Sequence, residues 1–294
     1  MEFEEHLPEN ILRLCADINT DRYKHGNYLH KIINEKKRRD IAVASVRDRL
    51  VHRLLYDYLV YKCDNHFDYD VWSCRIGKGN LAAINRTGNL LRKYPHSYVW
   101  RGDIQKFFDH VDHRILRRQL ARYELGVKAN SLLDIVIKSY EAQLLDIHTE
   151  RQAGIPIGNL TSQIFANIYL NEFDRFVRHE LKPLAYVRYG DDFLLFANAQ
   201  NKALTYQSLG AKFLNNELHL KLHNLNNLIV QAKKGLRYLG VVSYSNGKTL
   251  SNGTFKQILD KTTLLNQDTY KAHVLQYGSR NQVQIREGHI IKIR

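Results

Sequence analysis

Two adjacent aspartates, Asp191 and Asp192, are the residues of this chain whose type and spacing point most directly to chemistry. Apolar residues that favour β-structure flank them on both sides, so we expect a tight hairpin with Gly190 and the two aspartates at its tip. Two carboxylates held so close raise each other's pKa unless cations neutralise them, and hard oxygen ligands of this kind suit Mg²⁺. Taken alone, the stretch fits a solvated Asp-Asp turn equally well, because short motifs often match by chance.

A third carboxylate, Asp103, follows an apolar run at residues 98–102 and precedes a helix predicted to begin near His113. This pattern places Asp103 at the end of a strand. By itself it could be an ordinary aspartate at a helix entry. If the strand lies beside the hairpin, the three carboxylates could surround two divalent ions, an arrangement that activates a hydroxyl and stabilises a pyrophosphate leaving group.

The charge of the chain favours a polyanionic partner. Its 294 residues contain 44 Lys and Arg against 30 Asp and Glu, for a formal net charge of +14. An excess of this size is typical of proteins that bind nucleic acid or anionic membranes. No apolar run is long enough to span a bilayer, and residues 1–5 are acidic where a signal peptide would be basic, so we expect a cytoplasmic protein. The three cysteines are too widely spaced to indicate a disulfide framework or a zinc site.

Hydrophobic periodicity indicates the elements that must position these aspartates. Helices are predicted at residues 7–18, 46–62, 81–94, 164–181 and 203–215, with a mostly helical stretch at 120–149. Strands are predicted at 28–44 around a basic turn, at 218–222, and in a hairpin at 228–244 that turns at 233–235, followed by a turn at 245–248. Beyond residue 255 we expect one helix ending near Leu265 and a β-like end at 290–294. The basic turn at 35–39 carries four successive cations, which either contact phosphates or are simply solvated.

Five motifs occur in an order that makes the sequence similar to reverse transcriptases of the bacterial, retron and group II intron lineage. They are Arg39 with Asp48-Arg49-Leu50-Val51, Asp103 with Phe107-Phe108-Asp109, residues 154–163, Tyr189-Gly190-Asp191-Asp192, and Leu236-Arg237-Tyr238-Leu239-Gly240. The resemblance implies an α+β, right-hand polymerase fold with fingers and palm, built from an antiparallel sheet plus helices, and a short thumb. It divides the chain into an N-terminal extension and fingers at 1–97, a palm at 98–245 with finger elements at about 114–155, and a short thumb at 246–294.

The same resemblance implies roles for individual residues. Asp103, Asp191 and Asp192 would be the catalytic carboxylates and would bind two Mg²⁺ ions, for which Mn²⁺ can substitute, with the Ile104 carbonyl as a further ligand. The residues implied to contact the incoming deoxynucleotide are Lys37, Arg39, Phe108, Ile157, Gly158 and Gln163. Leu239 and Gly240 would form the primer grip.

Phe108 bears on which sugar the enzyme accepts. Viral RNA-dependent RNA polymerases place a carboxylate five residues after the first palm aspartate, where it can accept a hydrogen bond from a ribose hydroxyl. An aromatic ring at that position would clash with a 2′-hydroxyl and select deoxynucleotides. The alternative is a plain core residue, because Phe is often buried.

Residues 157–163 are similar to the form found in diversity-generating retroelement reverse transcriptases. Most relatives have Gln where this chain has Ile157. A glutamine amide can hydrogen-bond near the nucleotide whereas isoleucine offers only shape, so discrimination at template adenines would weaken. The implied partners are a template RNA, a primer or cDNA duplex, dNTPs and a small basic accessory protein, with no membrane. Two alternatives stay open: a retron-like or host-defence enzyme without adenine mutagenesis, and a catalytically silent RNA-binding scaffold on the same fold.

Overall fold

The computed structural model describes residues 2–34, 38–140 and 151–293. The N-terminal part contains helices α1 (Glu2–Glu5) and α2 (Leu7–Asn19), the hairpin β1 (Leu29–Asn34) and β2 (Arg38–Val43), and helices α3 (Val46–Cys63) and α4 (Asn80–Lys93). These elements confirm the predicted helices and the strand–turn–strand to within a few residues. The basic turn between β1 and β2, including Lys37, lies outside the described residues.

A central four-stranded antiparallel sheet has the order β4-β5-β3-β6. Its strands are β3 (Tyr98–Asp103), β4 (Ala185–Tyr189), β5 (Asp192–Ala197) and β6 (Leu228–Gln231). Between β3 and β4 the chain forms α5 (Phe107–His110), α6 (His113–Leu120), α7 (Val127–Lys138) and α8 (Leu160–Phe176), and α9 (Gln200–Leu218) follows β5. Helix α8 continues as a π-helical turn, Val177–Leu181. The predicted helix at 120–149 is confirmed by α7 in part, and residues 141–150 lie outside the described residues.

Both faces of the central sheet are buried, which explains why its strands are apolar almost without alternation. One face, with Trp100, Phe193 and Leu195, joins the main core that contains residues of α8 and α9. The opposite face, with Val99 and Leu194, belongs to a second core. That second core also contains residues of α4 and of the strand that follows β6: Leu90, Leu91, Leu236 and Tyr238.

A second sheet and three helices complete the C-terminal part. The sheet is formed by β7 (Leu236–Tyr238), β8 (Val241–Tyr244) and β9 (Gly247–Leu250), and the helices are α10 (Asn252–Lys261), α11 (Gln267–Tyr277) and α12 (Arg280–Ile293). The pairing of Tyr244 with Gly247 confirms the predicted turn at 245–248. Val241, Leu250, Ile258 and Val274 pack together in a third core.

Three sequence predictions in the C-terminal half are wrong. The strand at 218–222 is absent because α9 runs through Leu218, and His219 then adopts a left-handed φ of 54°. The hairpin at 228–244 is divided between two sheets, since β6 pairs with β3 whereas β7 pairs with β8. Residues 290–293 of the predicted β-like end belong to helix α12, and α11 was not predicted as a separate helix. Short apolar runs cannot distinguish helix from strand without their tertiary partners.

Within the part of the chain that the structure describes, every helix is too short or too polar to cross a membrane.

Candidate active site

The turn between β4 and β5 is the centre of the candidate site. Tyr189 pairs with Asp192, so Gly190 and Asp191 form a two-residue loop. Gly190 has a φ of +63° whereas Asp191 does not have a positive φ, as in a type II′ turn, whose first central position favours glycine. The predicted hairpin is therefore present, with the aspartates at its tip.

Buried polar groups hold this turn from behind. Arg188 is completely buried, and its guanidinium donates to both carboxylate oxygens of Asp174 at 2.7 and 2.6 Å. The same guanidinium donates to the Gly190 carbonyl at 3.0 Å, and Ser73 Oγ accepts a hydrogen bond from the Gly190 amide at 2.9 Å. A buried ion pair of this kind is costly to break, because either partner alone leaves an uncompensated charge. Sequence analysis missed this support, although an arginine inside an apolar strand was a visible signal.

The structure brings Asp103 to the same end of the central sheet as Asp191 and Asp192. Asp103 is the last residue of β3 and pairs in register with Asp192 on β5. The Ile104 amide donates to the Asp191 carbonyl at 3.3 Å, which joins the end of β3 to the turn. Asn226 Nδ2 donates to Asp103 Oδ2 at 2.6 Å and fixes the orientation of that carboxylate.

Negative charge is concentrated at this end of the sheet. The pKa of Asp191 is raised to about 6 by burial and by the charges of Asp103 and Asp192, although Arg39 opposes the shift. Burial also raises the pKa of Asp192 to about 6, against the stabilising effect of Arg101 on the carboxylate. Carboxylates that repel one another in a partly desolvated cleft are ready to be neutralised by a cation.

The donor set fits magnesium through two carboxylates rather than three. Across the described residues, no three His, Cys, Asp or Glu side chains are grouped so that they could hold a metal ion. Both carboxylate oxygens of Asp192 accept hydrogen bonds from Arg101, at 3.2 and 2.9 Å. Asp103 and Asp191 remain as carboxylate donors, and Mg²⁺ commonly binds one or two carboxylates and completes its shell with water and substrate phosphates.

Strand β2 brings Arg39 towards the carboxylates, close enough for its charge to lower the pKa of Asp191. The loop that precedes α8 anchors this strand. Asn159 Nδ2 donates to the Ala42 carbonyl at 2.8 Å, and a Cβ at Gly158 would lie 2.9 Å from Ile41 Cγ2. The predicted contacts Arg39 and Gly158 therefore belong to one packed unit of β2 and the loop before α8.

Phe108 lies in α5, which is joined to the loop before α8. The Ile155 amide donates to the Phe108 carbonyl at 2.8 Å, which connects α5 to residues 153–159. Phe107 is 2% exposed and occupies the core, whereas Phe108 is half-buried at the edge of the same core. Phe108 therefore packs against the core and keeps part of its surface exposed.

The remaining predicted contacts lie at the start of α8. Ile157 is half-buried, and Gly158 and Gln163 are exposed. Ser162 Oγ donates to the Pro156 carbonyl at 2.6 Å, which closes the loop over the first turn of the helix. Ile157 and Gln163 therefore stand at the accessible edge of the loop.

His52 supports the first turn of α8, which directly follows this loop, from the interior, a role that sequence analysis missed. His52 Nδ1 lies 2.5 Å from Thr161 Oγ1, and His52 Nε2 lies 3.0 Å from His25 Nε2. Burial lowers the pKa of His52 to about 4, with a further contribution from His25, so the ring is neutral at pH 7. No spacing in the sequence could have paired His52 with Thr161, because 109 residues separate them.

The turn between β7 and β8 contains the predicted primer-grip residues. Tyr238 pairs with Val241, which leaves Leu239 and Gly240 as a two-residue loop. Their φ values are +49° and +83°, as a type I′ turn requires. Leucine is unfavourable at positive φ, so the surrounding contacts must hold this turn.

Comparison with known families identifies the architecture. A family model described as reverse transcriptase (RNA-dependent DNA polymerase) matches residues 24–243. This match covers all five motifs noted in the sequence, from Arg39 to Gly240.

Two curated proteins illustrate the similarity at the sequence level. Protein YkfC of Escherichia coli is 25% identical over 243 residues, covering 69% of this chain and 62% of that protein. The group II intron-encoded protein LtrA of Lactococcus lactis is 22% identical over 277 residues, covering 70% of this chain and 44% of that protein. The chain therefore spans less than two thirds of the length of these relatives.

Solved structures show the fold. Telomerase from Candida albicans, in complex with a fragment of telomeric RNA, superposes with a TM-score of 0.57 at 13% identity, covering 93% of this chain and 54% of that one. Apo telomerase from Candida tropicalis gives a TM-score of 0.56, also at 13% identity, covering 92% and 57%. The predicted α+β, right-hand polymerase fold is confirmed.

Proposed function

The chain belongs to the reverse transcriptase family, and from that premise we propose that it is an RNA-directed DNA polymerase that extends a primer on an RNA template. The observation that carries the proposal is the arrangement of Asp103 and Asp191 at one end of the central sheet. There Asp103 pairs with Asp192 and the Ile104 amide bonds to the Asp191 carbonyl. The excess of positive charge suits a nucleic-acid duplex.

We propose that Asp103, Asp191 and the Ile104 carbonyl hold Mg²⁺, with Mn²⁺ as a possible substitute. Bound divalent ions of this kind lower the pKa of the attacking hydroxyl and stabilise charge on a leaving pyrophosphate. Asn226 keeps the Asp103 carboxylate in one orientation. Asp192, which the sequence predicts as a third ligand, accepts two hydrogen bonds from Arg101 and would contribute mainly its charge beside this pair.

The incoming deoxynucleotide is proposed to lie between β2 and the loop before α8. Arg39, with Lys37 two residues before it in the sequence, would bind the triphosphate, and guanidinium groups suit phosphate oxygens. The exposed part of Phe108 would exclude a 2′-hydroxyl. Ile157, Gly158 and Gln163 would line the side of the base.

The assignment of subdomains follows from these roles. We propose fingers at 1–97, a palm at 98–245 with finger elements at about 114–155, and a short thumb at 246–294. The turn at Leu239 and Gly240 would grip the primer, since β7 is tied to Asp192 through Tyr238. The template RNA, the primer or cDNA duplex and dNTPs are the proposed partners, and the proposed location is the cytoplasm, for a bacterial or phage-encoded protein.

Within the family, we propose the diversity-generating group, in which cDNA synthesis is error-prone at template adenines and retrohoming is mutagenic. The supporting feature is residues 157–163, where Ile157 replaces a glutamine and the motif ends in Ser162-Gln163. A small basic accessory protein would accompany the enzyme in that setting. A retron-like or host-defence role without adenine errors is the alternative.

Primer extension tests the activity. Purified chain, with and without co-expressed basic accessory proteins from the same locus, is given a primed RNA template, Mg²⁺ and either dNTPs or rNTPs. We expect extension with dNTPs and little with rNTPs, and a loss of at least about 10³-fold in Asp191→Asn. The Asp260→Asn variant, in α10, is the matched control and should retain activity. Binding of the duplex without any extension that depends on Asp191 would instead support the catalytically silent scaffold.

A further inference from the structure

Arg101 makes an unusual set of contacts beside the catalytic aspartates. It lies on β3 two residues before Asp103, so the two side chains project from the same face of the sheet. Arg101 Nε lies 3.2 Å from Asp192 Oδ1, and Arg101 Nη2 lies 2.9 Å from Asp192 Oδ2. This two-point geometry is the strongest that an arginine and a carboxylate can adopt.

The same guanidinium reaches a second sheet. Arg101 Nη1 donates to the carbonyl of Arg237 at 2.8 Å, and Arg237 belongs to β7, which leads into the turn at Leu239 and Gly240. From the other side, the Tyr238 hydroxyl donates to the Asp192 carbonyl at 3.1 Å. Tyr238 is 1% exposed. Asp192 is therefore fastened to β7 through its side chain and through its backbone.

These contacts use three of the five N–H donors of the Arg101 guanidinium. Each of its three nitrogens has a protein partner, and the side chains of Arg101 and Asp192 are 17% and 16% exposed. A phosphate-binding arginine would need a free and accessible edge of the guanidinium. Arg101 instead connects the Gly190–Asp191 turn to the Leu239–Gly240 turn, and we call this set of contacts with Asp192 and Arg237 the brace.

We propose that Arg101 is a positioning residue that braces the Gly190–Asp191 turn against the Leu239–Gly240 turn by holding Asp192 and the Arg237 carbonyl together. Its effect on catalysis rests on the proposed polymerase function, because the brace would set the distance between the primer end and the pair Asp103 and Asp191. Asp192 then acts as an anchor for Arg101 and not as a metal ligand.

Three variants separate positioning from simple charge compensation. Arg101→Gln removes the positive charge and the two-point contact with Asp192, and Asp192→Asn removes the negative charge. Arg101→Lys keeps the positive charge but cannot reach three acceptors at once. Arg117→Gln is the matched control, because Arg117 pairs with Asp134 at 2.7 Å between α6 and α7, away from both turns. Thermal unfolding of every variant identifies those that simply fail to fold.

The deciding measurement is hydrogen exchange of the backbone amides at 236–241 in metal-free, duplex-free protein. We expect exchange about 10-fold or more faster in Arg101→Gln and in Arg101→Lys, and no change in Arg117→Gln. Unchanged exchange in Arg101→Gln overturns the brace, and full protection in Arg101→Lys shows that charge alone is responsible. This readout does not depend on whether the protein extends primers.

Single-nucleotide extension then tests the catalytic consequence. We expect Arg101→Gln and Arg101→Lys to lower kcat by about 10-fold or more. The KM for dNTP should stay within about twofold of the wild-type value, since neither variant changes the loop before α8. The double variant Arg101→Gln/Asp192→Asn should be no worse than the poorer single variant, because both residues act as one unit. A loss of kcat in the double variant equal to the product of the two single losses would contradict this. An inactive wild-type protein would instead refute the proposed polymerase function and leave the brace to be judged by hydrogen exchange.

Discussion

At the scale of single residues, the site is defined by carboxylates that have different partners. Asp103 is oriented by Asn226, Asp192 is paired with Arg101, and Asp191 has the charges of the other two close by. Three acidic residues that look equivalent in the sequence thus have separate tasks.

The raised pKa of Asp191 makes the metal-free protein less stable as the pH rises. With a folded-state value of about 6 and an ordinary value of about 4 in the unfolded chain, the protonated form favours folding. The stabilising contribution is complete below about pH 4 and is lost as the pH rises through 6. We therefore expect Asp191→Asn to stabilise the protein at pH 8 in EDTA, by about 1–2 kcal/mol, and to have a smaller effect at pH 4.5, where part of the contribution remains.

Thermal or urea unfolding at the two pH values measures this difference. Addition of Mg²⁺ at pH 8 should raise the melting temperature of the wild type more than that of Asp191→Asn, because bound ligand stabilises the folded state. Equal melting temperatures for both proteins at pH 8 would show that the pKa of Asp191 is not raised in the folded protein.

Ile157 is expected to affect the fidelity of DNA synthesis. If Ile157 weakens discrimination between correct and incorrect incoming nucleotides, Ile157→Gln should lower the error frequency at template adenines by about 10-fold. Errors at other template bases should change little. Ile155→Val, which alters a buried neighbour in the same loop, is the control. Sequencing of cDNA from a template with equal amounts of the four bases gives both frequencies. A uniform error spectrum in the wild type would favour the retron-like or host-defence alternative.

At the scale of elements, the nucleotide side of the site depends on contacts between distant segments. The loop before α8 is joined to β2 through Asn159 and to α5 through Ile155. The first turn of α8 is joined to α3 through Thr161 and His52. Asp48, at the start of α3, in turn accepts hydrogen bonds from Tyr23 and Gly26. The segment at 23–28 is therefore connected, through α3, to the start of α8 and the loop before it.

Removal of the His52 ring should loosen this loop without affecting the carboxylates. We expect His52→Ala to raise the KM for dNTP by about 5–20-fold and to change kcat less, because a hydrogen bond in the interior contributes about 1–2 kcal/mol. His96→Ala, at an exposed histidine before β3, is the control. Steady-state extension kinetics give both constants. A fall in kcat at unchanged KM would place His52 with the catalytic turn instead.

At the scale of the whole molecule, charge and fold act together. The net charge of +14 is spread along the chain, and the family match covers residues 24–243. Electrostatic attraction to a duplex is largely independent of the nucleotide sequence. It weakens as the salt concentration rises, because the release of counterions from the duplex becomes less favourable. The fold then determines where along the duplex the chemistry can occur.

Binding of a primer–template duplex should therefore depend steeply on salt. We expect the affinity to fall about 10²–10⁴-fold between 50 and 200 mM KCl, consistent with several phosphate contacts. Fluorescence anisotropy in EDTA measures this without turnover. Asp191→Asn should show the same slope, since it removes no phosphate contact, and a flat salt dependence would argue against duplex binding by the basic surface.

The sequence alone was sufficient for the features that depend on local order. Glycine at the first position of a two-residue turn, the adjacent aspartates and the apolar strand before Asp103 are local patterns, and their order along the chain predicted the family and the fold. Most helices and the N-terminal hairpin were also predictable, because their periodicity is long enough to be unambiguous.

The tertiary structure decided which side chains act together. The partners Arg101 and Asp192 are 91 residues apart, and His52 and Thr161 are 109 apart, so no spacing rule could pair them. The same holds for β6, whose short apolar run was assigned to a hairpin with β7 but pairs with β3. Such contacts depend on how whole elements pack, and packing is a property of the folded chain that short sequence windows do not contain.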